Sequence, residues 1–158
     1  MTTALFLFLA ASTPPPKPVS KPLVPISMCD IVTHSEVQQA FKRPFAKGAE
    51  DRTACEYTAL DQQVVAIKTQ HSNAKIDARA EMLTLRKAFP EGRMRDAKGL
   101  PGTAFFLDLP GIGTQLFVIR GDHDFLLVSV MGLGDAKKVA KATAQIAHLA
   151  LDRLPSVQ

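Results

Sequence analysis

The chain has 158 residues, 46% hydrophobic and 22% charged, the balance of one ordinary globular domain and not that of a disordered tail. Formal net charge is +4, but Lys17 and Lys21 precede the first carboxylate, Asp30, so the remainder is too weakly basic for a dedicated nucleic-acid binder. With no Trp and one Tyr, stacking platforms for single-stranded nucleic acid or sugar rings are scarce.

Residues 4–11 (ALFLFLAA) form an apolar run too short to span a bilayer, ending in Ala10-Ala11-Ser12, small residues of the kind a signal peptidase reads. The expectation is a signal peptide over residues 1–12, cleaved near residue 12, and an exported product, periplasmic or extracellular. No Cys follows the run, so no acylated lipobox is expected. Residues 13–28 hold Pro14, Pro15, Pro16, Pro18, Pro22 and Pro25, which remove backbone donors and favour polyproline II geometry; they read as a spacer ahead of a folded domain at residues 29–155.

Cys29 opens the folded part and Cys55 falls in a strand pattern. An even cysteine count in an exported chain favours a bridge between them over a catalytic thiol, for which no base can be placed, or zinc, which needs more soft ligands.

Thr33-His34-Ser35-Glu36 has the spacing of a capping box and Val32 and Val37 that of a hydrophobic staple, so a short helix begins there and stops at Arg43, before Pro44. Strands at 54–60 and 63–70 follow as a hairpin, the second rich in β-branched residues. Asn73 is positioned to cap a helix reaching about Phe89, with Ala78, Met82, Leu85 and Phe89 at helical spacing. Three strands at 103–109, 114–120 and 124–131 are separated by Gly- and Asp-containing turns. Adjacent apolar pairs such as Phe105-Phe106 and Phe117-Val118 place these strands centrally or under cover on both faces. Asp135 then caps a last helix reaching about Leu154. The order α-β-β-α-β-β-β-α implies a single α+β domain, a five-stranded antiparallel sheet with its helices packed on one face.

Cys29-Asp30-Ile31-Val32-Thr33, then Cys55-Glu56-Tyr57, then Lys98-Gly99-Leu100-Pro101-Gly102-Thr103 resembles a large bacterial family of small exported proteins and lipoproteins, best known from actinobacteria and catalogued as a domain of unknown function. The resemblance spans about Cys29 to Leu154. It implies an exported α+β domain with a Cys29–Cys55 bridge and carries over no catalytic residues.

Candidate chemistry is sparse. Asp122-His123-Asp124 flanks a histidine with carboxylates, but adjacent residues of a tight turn diverge and cannot simply converge on a metal. His34, His71 and His148 show no ligand spacing. Gly132-Leu133-Gly134-Asp135 lacks the Lys-Ser/Thr of a P-loop and reads as a strand exit with a helix cap. Ser129 lacks the glycines of a nucleophile elbow. Residues 75–98 carry seven cations against four carboxylates, and Lys75, Arg79, Arg86, Arg93 and Arg95 are the candidate anion-binding set.

The leading expectation is a monomeric, non-enzymatic binding or accessory module of the cell envelope. It would need neither metal nor cofactor, and its partner would be an envelope protein or small ligand, with a groove near Gly99–Gly102. One alternative is recruitment by charge to an anionic lipid or wall-polymer surface through residues 75–98. The other is a small hydrolytic enzyme using His71 or Asp108.

Overall fold

The computed structural model describes residues 27–51 and 53–155; the expected signal segment and residues 13–26 of the spacer lie outside the described residues. The elements in chain order are α1 (Met28–Ile31), α2 (His34–Phe41), β1 (Ala49–Asp51), β2 (Ala54–Thr58), β3 (Val64–His71), α3 (Ala78–Ala88), β4 (Arg93–Asp96), β5 (Thr103–Leu109), β6 (Gly113–Arg120), β7 (Asp124–Met131) and α4 (Ala136–Arg153). The fold begins one residue before the expected boundary, because Met28 is buried in the core.

The strands form one antiparallel sheet in the order β1-β2-β3-β7-β6-β5-β4. The α+β class is as expected, with seven strands among the described residues in place of five. The two additional strands, β1 and β4, are three and four residues long and form the edges of the sheet, too short to display a hydrophobic alternation.

Register explains the core. Val65 faces Val130, Ile67 and Leu116 face Val128, and Phe106 faces Leu116, so one side of the sheet is a continuous apolar surface. Onto it pack Val32 and Val37 of the N-terminal helical segment and Ile146, Ala147 and Ala150 of α4, all fully buried. The other side carries Phe105, Leu107 and Phe117, with Phe105 and Phe117 stacked at 5.1 Å between ring centroids.

Met82 and Leu85 of α3 cover that second cluster, so this helix lies on the opposite side from α2 and α4 and not on a shared face as expected. The adjacent apolar pairs in β5 and β6 are the sequence signature of this two-sided cover. No residue of α3 is buried, and Phe89, expected in its core face, is 39% exposed.

Local chemistry sets the helix ends. The Thr33 backbone N–H donates to Glu36 Oε2 at 2.8 Å, as the capping box requires. Helix α2 stops two residues earlier than expected, at Phe41, because Lys42 turns into the left-handed region at φ 53°. Helix α3 starts later than expected. Backbone N–H groups of Ser72 and Ile76 donate to the carbonyls of His123 and Asp122, holding residues 72–76 against the β6–β7 turn. Asp77, not Asn73, is therefore the cap, accepting from the N–H groups of Arg79 and Ala80.

Candidate functional site

Cys29 of α1 and Cys55 of β2 form a disulfide with Cα atoms 5.1 Å apart, the pairing expected from the sequence. Cys55 is fully buried, and two residues along the same strand Tyr57 donates its hydroxyl to the Val32 carbonyl. Burial, then the nearby Glu36 and Asp30 charges, push the Tyr57 phenol up to about 12, so it remains a neutral donor. Gly48 runs directly beside the bridge: a Cβ there would lie 2.5 Å from Cys55 Sγ and 2.7 Å from the Tyr57 ring. A covalent link, a buried phenol and a glycine without room for a side chain thus fix the N-terminal segment to the edge of the sheet.

A second polar arrangement lies toward the other edge of the sheet. Arg95 of β4 reaches diagonally to Asp108 of β5, donating from Nε to Oδ2 at 2.7 Å and from Nη2 to Oδ1 at 3.2 Å. Thr114 of β6, itself buried, donates its hydroxyl to Asp108 Oδ1 at 2.6 Å, and the Arg95 guanidinium lies 3.8 Å over the Phe106 ring. Burial opposes the Asp108 charge, but the hydrogen bonds from Arg95 and Thr114 outweigh it and hold the carboxyl below its usual range. Asp108 is thereby an anchored anion, poorly suited to donate a proton at neutral pH.

This cluster borders a cleft of about 450 Å³ lined by Arg93, Asp108, Gly111, Gly113, Asp135 and Lys137. Asp135 caps α4 by accepting from the Lys137 N–H at 2.7 Å, and Asp108 is already satisfied by Arg95. Among the described residues neither Arg93 nor Lys137 is in a contact ion pair; Lys137 acts on Asp108 only through longer-range attraction, so both cations can meet a ligand anion. Sequence reading placed Arg93 here only as one of a charge run and missed Lys137. Pairing with β5, Arg93 opposite Asp108 and Arg95 opposite Phe106, is what sets both arginines on one side of the sheet.

The five expected anion-binding residues do not form one surface. Arg93 and Arg95 stand on the α4 side of the sheet, whereas Lys75 precedes α3 and Arg79 and Arg86 belong to it, across the sheet. Lys75 is paired with Asp122 at 3.0 Å and Arg95 with Asp108, leaving Arg79 and Arg86 solvated on an exposed helix.

The Asp122-His123-Asp124 side chains diverge. Asp122 meets Lys75, His123 Nδ1 meets the Ser72 carbonyl at 3.1 Å, and Asp124 meets His71 Nδ1 at 3.0 Å. The His71 and His123 rings do approach, with centroids 5.9 Å apart, a juxtaposition of the end of β3 with the β6–β7 turn that spacing along the chain conceals. Among the described residues no three histidine, cysteine or carboxylate side chains gather as a metal site. The expected hollow beside the 99–102 turn exists as a shallow cavity of about 300 Å³ lined by Pro101, Gly102, Ile119, Arg120, Gly121 and Leu151.

Comparison with profiles of known families, with characterised proteins and with solved structures finds no match, so the functional reading rests on the residues themselves.

Proposed function

We propose that this chain is an exported, disulfide-braced binding module of the cell envelope, working by recognition and not by catalysis. The observation that carries the proposal is the Cys29–Cys55 bridge, set in the core where the N-terminal segment meets β2. A bridge built into the packing suits an oxidising compartment, because the reducing cytosol keeps thiols apart. The apolar run at residues 4–11 and the Pro-rich stretch behind it supply an export route and a spacer. Among the described residues no helix is long and apolar enough to cross a membrane.

The cleft between β4, the β5–β6 turn and α4 is the binding site that the geometry favours, with Arg93 and Lys137 presented to an anionic group. Charge recruitment through the whole 75–98 segment has less support, because the sheet separates its cations into two surfaces. A hydrolytic role for His71 or Asp108 also has less support: His71 is 65% exposed at its side chain and Asp108 is held as an ion pair.

Export is tested by fusing residues 1–28 ahead of a reporter enzyme that becomes active only outside the cytosol. Reporter activity that is lost when Leu5, Leu7 and Leu9 are changed to Asp supports the proposal. A fusion that stays inactive and uncleaved refutes it.

A further inference from the structure

A second groove, on the opposite flank of the first turns of α4, has no role in the site described above. It lies between the end of α2 and α4, has a volume of about 400 Å³, and is lined by Lys42, Lys138 and Lys141, with the Gln39 and Gln145 side chains beside them. Its apolar base includes Phe41 and Val139. No carboxylate lines it, and among the described residues none of the three lysines has an ion-pair partner. The nearest acidic side chain of α2, Glu36, is committed to Arg153.

Two local features at this groove work against the stability of the free protein. Lys138 and Lys141 are like charges one turn apart on the same helix. Lys42 is held in the left-handed region at φ 53°, a conformation that glycine or asparagine adopts at lower cost. A bound anion relieves the first cost, and the second brings a further lysine to the same groove. Strained backbone beside unneutralised charge is the pattern expected of a binding site.

We infer that the α2–α4 groove binds a phosphorylated polyol: the three ammonium groups take the phosphate, and the Gln39 and Gln145 carboxamides, each both donor and acceptor, take hydroxyl groups. The volume accommodates a phosphate with a short polyol, while Phe41 and Val139 offer an apolar base to its carbon chain. Free glycerol phosphate and the headgroup of a glycerophospholipid share this chemistry. The inference does not depend on compartment: a cytosolic location would leave it standing, and failure to bind would leave the export proposal standing.

The test is a titration of the oxidised protein, followed by backbone amide NMR shifts, with sn-glycerol 3-phosphate, with glycerol and with phosphatidylglycerol vesicles. Glycerol 3-phosphate is expected to shift the amides around Lys42, Lys138 and Lys141, and glycerol is expected to shift none. The paired change Lys138→Gln and Lys141→Gln, at two exposed positions, is expected to weaken binding by about tenfold or more. The paired change Arg79→Gln and Arg86→Gln on α3 leaves it unaltered. Binding to vesicles but not to glycerol 3-phosphate, with the same dependence on Lys138 and Lys141, assigns the groove to the lipid headgroup. Shifts spread over the surface, equal losses in both paired variants, or no binding to either phosphate source overturn the inference.

Discussion

Arg153, at the end of α4, grips Glu36 of α2 through two hydrogen bonds, Nη2 to Oε1 at 2.6 Å and Nη1 to Oε2 at 2.9 Å. The same guanidinium donates to the Ile31 carbonyl at 2.8 Å, so the last helix closes over the first two close to the disulfide. Arg153, backed by the Thr33 N–H and hydroxyl, holds the Glu36 carboxyl down at about 2, against the opposing effect of burial. Because the folded value lies below the unfolded one, the pair stabilises the fold fully above about pH 4.5, and that contribution is lost as pH falls toward 2. Melting temperatures measured from pH 5 to pH 2 are expected to fall less steeply for Glu36→Gln than for the native chain. Parallel curves would show that the pair makes no such contribution.

Removing the covalent link has a larger effect. The bridge spans a sequence separation of 26 residues, for which loop-closure entropy implies about 3.5 kcal/mol of stabilisation. Changing both Cys29 and Cys55 to Ser should lower the urea midpoint and raise the slope of the transition, because the denatured chain is no longer held compact by the loop. Gly48→Ala, which drives a methyl group toward the bridge and the Tyr57 ring, should cost about 1–3 kcal/mol even with the disulfide intact.

At the cleft, Asp108→Asn keeps the shape but removes the charge that neutralises Arg95. A loss of about 1–3 kcal/mol in chemical denaturation is expected, because the guanidinium is left without its anion in a half-buried position. Arg93→Gln, at an exposed position of the same cleft, should leave stability within about 0.5 kcal/mol and weaken any anion bound there.

The two sides of the sheet should differ in cooperativity. Leu116→Ala, deep in the main core, is expected to cost about 2–5 kcal/mol, whereas Leu85→Ala, in a helix with no buried residue, should cost less than half as much. Native-state hydrogen exchange should find the α3 amides opening well below the global unfolding energy and the β6 and β7 amides opening with it. Equal protection throughout would contradict the division into a main core and a lightly covered second cluster.

Residues whose chemistry is local were legible in sequence. The capping box at Thr33 and Glu36, the hairpin turns and the Asp135 cap each follow from side chains within four positions of one another. The paired cysteines were legible because the choice was between only two residues. What stayed hidden depends on pairing across the sheet. Nothing near Arg95 in the chain reveals that Asp108 and Thr114 meet it, and β4 is too short to declare itself by alternation. The start of α3 was misplaced because hydrogen bonds from residues 72 and 76 to the β6–β7 turn override the capping preference of Asn73. The basic run at 75–98 looked like one surface only because sequence proximity hides the sheet that divides it.

The most direct measurement is the intact mass, without reductant, of the chain recovered from outside the cytosol of the cell that makes it. The expected product begins near residue 13, is two hydrogens lighter than the dithiol, and takes up an alkylating reagent at Cys29 and Cys55 only after reduction. An uncleaved chain confined to the cytosol, with both cysteines alkylated without prior reduction, would contradict the exported, covalently braced module proposed here.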